Sequence, residues 1–182
     1  MTWLNTILLL AAAFLAVFWE AAFHGLRHVF GAQLDLLPPL MVYAGLSSGV
    51  VAIGLVSVLG GLWFDSLSAN PLGISVVPLF VVGLLVHFSR DMVLRDQTFA
   101  QFVLGLGASA ATPILTLILL LTTGHGPSLG WGTLWQIIVM TIGGAIATPV
   151  CFVLFDFAHR ALVHRTAAQP SFRPDREIRR GR

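Results

Sequence analysis

The chain has 182 residues, 57% of them hydrophobic and 10% charged, with a mean hydropathy of +0.89. A soluble domain carries about a quarter charged residues, so composition excludes an ordinary water-soluble fold and points to an integral membrane protein. All ten basic residues are arginine and seven lie from Arg160 onward, so the pI of about 9.5 describes a basic end rather than a surface for nucleic acid. Such an end beside a membrane span reads as a topology signal or an anionic-lipid contact. The single cysteine, Cys151, can form no intramolecular disulfide.

The first apolar run, Trp3 to Phe23, lacks the basic flank of a signal peptide and is read as a retained span. Its 21 residues suffice for roughly 30 Å of hydrocarbon at about 1.5 Å per residue. The run Leu36 to Phe64 has 29 residues, and Gly45-Leu46-Ser47-Ser48-Gly49 in its middle divides it into two short helices, 36–46 and 50–64. Next comes the polar turn Asp65-Ser66-Leu67-Ser68-Ala69-Asn70, where Asn70 suits a helix N-cap and Pro71 the first helical position. Leu72 to Phe88, Phe99 to Thr122 and Trp131 to Phe157 supply further spans of 17, 24 and 27 residues. The expected fold is therefore an all-α integral membrane helical bundle over residues 1–159, followed by a flexible basic tail over 160–182.

Charge orients the bundle. The loop holding Arg90 and Arg95 and the tail from Arg160 together carry nine of the ten arginines, and two spans separate them. The positive-inside rule makes that side cytoplasmic, with the C-terminus inside and the Asp65 turn outside. Five spans would place all ten arginines inside. Six place the N-terminus inside and Arg27 outside.

Several patterns carry possible chemistry. Gly45-Leu46-Ser47-Ser48-Gly49 matches G-x-S-x-G, but that motif needs a strand-to-helix turn with a histidine and an acid. Here the context is apolar and helical, and His87 stands at a cytoplasmic span end. Glu20, His24 and His28 are spaced to share one helix face and could hold zinc, although Gly25 is expected to end that helix before His28. Glu20 remains a candidate functional acid, because ionisable residues at membrane depth are functional by default. Asp156, His159 and Arg160 read as an interfacial ion cluster, and Asp91 with Arg95 as a solvated i, i+4 pair. Gly45 with Gly49, and Ser57 with Gly61, have the small-residue spacing of close helix packing. Ala111-Thr112-Pro113 recurs as Ala147-Thr148-Pro149, with Gly107 and Gly143 at the same offset of 36, and reads as two kinked spans. No phosphate loop, Cys/His cluster or carboxylate dyad is evident, so no enzyme, metal or cofactor is expected.

Gly61-Leu62-Trp63-Phe64-Asp65-Ser66-Leu67 followed by Pro71-Leu72-Gly73 resembles the rod-shape-determining MreD family. Asp35-Leu36-Leu37-Pro38-Pro39 resembles that family's Pro-Asp-Leu-Leu segment, with Leu34 in place of its first proline. The resemblance is sharpest over residues 34–96 and compositional from 99 onward. It implies a bacterial inner-membrane scaffold, with MreC as direct partner and MreB, RodA and its transpeptidase in a larger assembly for cell elongation. It also implies a fold similar to the substrate-binding subunits of energy-coupling-factor transporters, with six spans and both termini cytoplasmic. Gly61, Asp65, Pro71, Leu72 and Gly73 are then the motif and partner-contact candidates. The alternative is a vitamin-binding subunit of such a transporter. That reading requires an outward pocket lined by residues such as Trp19, Glu20, Trp63, Trp131 and Trp135, and docking through Ala12 and Ala16.

Overall fold

The computed structural model describes residues 2–22, 31, 33–68, 70–90, 97–124 and 130–166. Among them the structure is entirely helical. The elements are α1 (Thr2–Ala22), α2 (Leu37–Ser47), α3 (Val50–Leu67), α4 (Val76–Ser89), α5 (Thr98–Thr122) and α6 (Trp131–Thr166). Four of these, α1, α3, α5 and α6, are long and apolar enough to cross a membrane. The shorter apolar helices α2 and α4 have 11 and 14 residues, below the roughly 20 of an ordinary span. Contacts divide the chain into two units, Met1–Phe152 and Val153–Arg182.

Within the first unit α2 is the centre. Leu37 through Gly45 are all buried, the pattern of a helix that is apolar all round, and it packs against α1, α3, α4 and α5. Tyr43 sets its ring edge-on to Phe152 of α6 at 5.0 Å and 70°. Gly45 permits the α2–α4 approach, since a Cβ there would lie 2.8 Å from Val86 Cγ1. The outer faces are apolar as well. On α4, Val77, Val81, Leu85 and Phe88 form an exposed strip, spaced to lie along one side of the helix.

Several sequence expectations are corrected here. α4 does not start at Pro71 under an Asn70 cap. Residues 72–75 form a turn, with Ile74 N donating to Pro71 O at 3.3 Å and Val76 N to Gly73 O at 3.3 Å, and the helix begins at Val76. Gly73 has φ +88°, a backbone state open to glycine, and that residue delays the helix. The tail does not begin at 160 either, because α6 continues to Thr166. Gly49 does not pack: it is exposed at the start of α3, and a Cβ there would meet nothing. Gly107 is equally open, whereas a Cβ on Gly143 would meet Leu34. Pro113 and Pro149 both lie inside continuous helices. Beside each proline, Thr112 Oγ1 donates to Ala108 O at 2.9 Å and Thr148 Oγ1 to Gly144 O at 2.8 Å. His24, His28, the Asp91–Arg95 pair and the tail over 167–182 lie outside the described residues.

Candidate functional site

The start of α2 poses a problem of unpaired donors. The first amides of a helix have no intrahelical acceptor, and inside a buried bundle no bulk water supplies one. Two solutions are combined. Pro38 and Pro39 carry no N–H, and the two remaining amides meet carboxylates. Leu36 N donates to Glu20 Oε1 at 2.6 Å, and Leu37 N to Asp35 Oδ1 at 2.9 Å. Glu20 thus ties the end of α1 to the beginning of α2. Its second oxygen, Oε2, is buried without a partner.

The same device recurs at the α3–α4 turn. Asp65, 2% exposed, accepts from Ser75 N at 3.1 Å and from Ser75 Oγ at 2.5 Å. One turn earlier, Gly61 allows the two backbones to approach: a Cβ there would lie 2.9 Å from Val76 Cγ2 and 3.0 Å from Val76 N. Gly61, Asp65 and Gly73 therefore form one local construction. Gly61 admits the strand of turn, Gly73 bends it, and Asp65 clasps it. Pro71 is half-buried and Leu72 is exposed. Ser57 is fully buried, with its hydroxyl donating to Gly54 O at 3.0 Å.

Asp35, two residues before the first residue of α2, lies at this acid-rich end and lines a cavity. Burial pushes its carboxyl up to about 6; the Leu37 N–H opposes that shift, and the like charge of Asp65 adds to it. The cavity measures about 380 Å³ and lies among the ends of α2 to α6. Its lining includes Asp35, Ser75 and Asn70, together with Thr116 of α5 and Gln136 and Met140 of α6. None of Trp19, Trp63, Trp131 and Trp135 lines it, and Phe64 is its one aromatic wall. Trp63 instead packs edge-on to Phe14 at 5.2 Å, and Trp131 is exposed. Ala12 and Ala16 are half-buried on α1.

The opposite end is built differently. Asn5 Nδ2 donates to Ser48 Oγ at 2.8 Å, and His87 Nδ1 lies 3.1 Å from Gly45 O. The G-x-S-x-G segment closes α2 here. The serine of the motif, Ser47, has a buried hydroxyl without a partner, its neighbour Ser48 is engaged by Asn5, and His87 Nδ1 faces the Gly45 carbonyl rather than a serine hydroxyl. Asp156 and Arg160 are exposed in the second unit. Among the described residues no three His, Cys, Asp or Glu side chains gather as a metal set.

Sequence reasoning singled out Glu20 and Asp65 separately but not the pairing of each with an amide of a later segment. A buried acid followed by an unfilled helix start is the signal that could have found it. Comparison of the chain with known families, with characterised proteins and with solved structures gives no match.

Proposed function

We propose that the chain is a non-enzymatic scaffold of the bacterial cell-elongation machinery. In this reading it crosses the inner membrane six times, binds the single membrane helix of MreC, and links it to MreB and to RodA with its transpeptidase. One observation supports the reading above others. The residues that carry the MreD resemblance, Gly61, Asp65 and Gly73, are those that fix the α3–α4 connection through the Val76 approach and the Ser75 clasp. A rigid outward connection suits a part that orients a neighbour, and the acids at this end are engaged in holding backbone amides.

The test is purification from native membranes through a tag after Arg182, with identification of what accompanies the chain. Recovery of MreC or RodA supports the scaffold. Recovery of an ATPase pair with its coupling subunit overturns it in favour of the transporter reading.

A further inference from the structure

We infer that the cavity at the acid-rich end binds a small amphipathic molecule with a neutral or cationic hydrogen-bonding head and an apolar body. The volume of about 380 Å³ falls in the range of small-molecule sites, roughly 300–1,000 Å³. Its walls are mixed. Gln33, Asn70 and Gln136 present carboxamides to it, while Leu79, Leu117 and Met140 supply apolar surface. Water can occupy the polar parts, since each buried water needs two or more polar partners, but it leaves the leucine and methionine walls uncovered. An apolar body covers what water cannot, and the amides and hydroxyls provide both donors and acceptors for a head group.

Charge narrows the class. Asp35 is the sole ionisable residue in the lining, with no arginine or histidine to balance it among the described residues. An anionic head would meet the like charge of a carboxylate and would be disfavoured. A cationic head would gain a partner in Asp35, whose Oδ1 is already held by Leu37 N, leaving the second oxygen for the ligand.

The inference is independent of the scaffold reading, and its test reads ligand binding without any partner protein. The full chain is placed in nanodiscs and titrated with two dansyl probes, cationic dansylcadaverine and anionic dansylglycine, with empty nanodiscs as the blank. Saturable binding of the amine is expected, about tenfold tighter than the carboxylate, which corresponds to roughly 1.4 kcal/mol. Thr116→Phe and Gln136→Trp, which fill the space from two different helices, should each abolish saturable binding. Asp35→Asn should remove the preference for the cation, and Leu62→Phe on the outer face should change nothing. A cation preference retained in Asp35→Asn, equal binding by the filled variants, or no saturable binding to the wild-type chain would each overturn the site.

Discussion

The amides of Leu36 and Leu37 show how single residues hold this molecule together. Each would cost roughly 1–3 kcal/mol if buried and unpaired, and a carboxyl oxygen meets each one, from Glu20 of α1 for Leu36 and from the neighbouring Asp35 for Leu37. Asp35 is also where pH should act. Its carboxyl titrates near 6 in the folded chain against 3.8 for the ordinary residue, so folding favours its protonated form. That stabilisation is complete below the ordinary value and is lost as pH rises through about 6. The melting temperature in nanodiscs should therefore fall between about pH 5 and about pH 7, by the equivalent of about 1 kcal/mol. Asp35→Asn should flatten this component, and an unchanged pH profile in that variant would refute the assignment. At the second clasp, Ser75→Ala removes a hydroxyl donated to a buried charge. It should destabilise by about 1.5–3 kcal/mol, read as a lowered melting temperature. No loss would mean that Asp65 is held by other means.

At the level of elements, local patterns located the helices well. The breaks at Ser48–Gly49 and near residue 70 were legible because glycine, serine and proline interrupt otherwise continuous apolar runs. The start of α4 was not, because the amide of Ser75, just before its first residue, is held by Asp65 ten positions earlier, and no local rule ranks that above an Asn-Pro cap. Glycine spacing misled in a similar way. The repeat at offset 36 picked out Gly107 and Gly143, but the α5–α6 contact is made by other residues. Gly105 lies against Thr148, and Gly144 lies against Ser109. These two pairs are reciprocal, each helix contributing a glycine and a hydroxyl residue four positions apart, so the helices meet where side chains are smallest. Gly144→Ala should force them apart and cost about 1–3 kcal/mol by overpacking, whereas Gly107→Ala should be neutral or slightly stabilising because its surroundings are open. Equal melting temperatures for the two variants in nanodiscs would contradict this packing.

For the whole molecule, composition and the long continuous apolar runs already pointed to a helical membrane bundle, since the strands of a membrane barrel, the other way to satisfy a backbone in lipid, alternate apolar and polar residues. The cavity was not legible, because its lining comes from five separate segments whose polar residues look like ordinary loop and span-end chemistry when read one at a time. The tryptophans that the transporter alternative would need do not line it, for a related reason: an aromatic near an apolar run can face outward as easily as inward, and Trp131 does. The exposed strip on α4 has a further consequence. With 14 residues this helix rises only about 21 Å, while α5 beside it, with 25 residues, rises about 37 Å. In the six-span reading a bilayer in contact with both would thin on one flank and thicken on the other, at a cost that grows with each ångström of difference. The melting temperature should therefore peak in nanodiscs of intermediate-chain phosphatidylcholines, and equal values across chain lengths would show that no such deformation exists. In that reading the lipid around this protein is uneven, with its thinned flank beside Val77, Val81, Leu85 and Phe88.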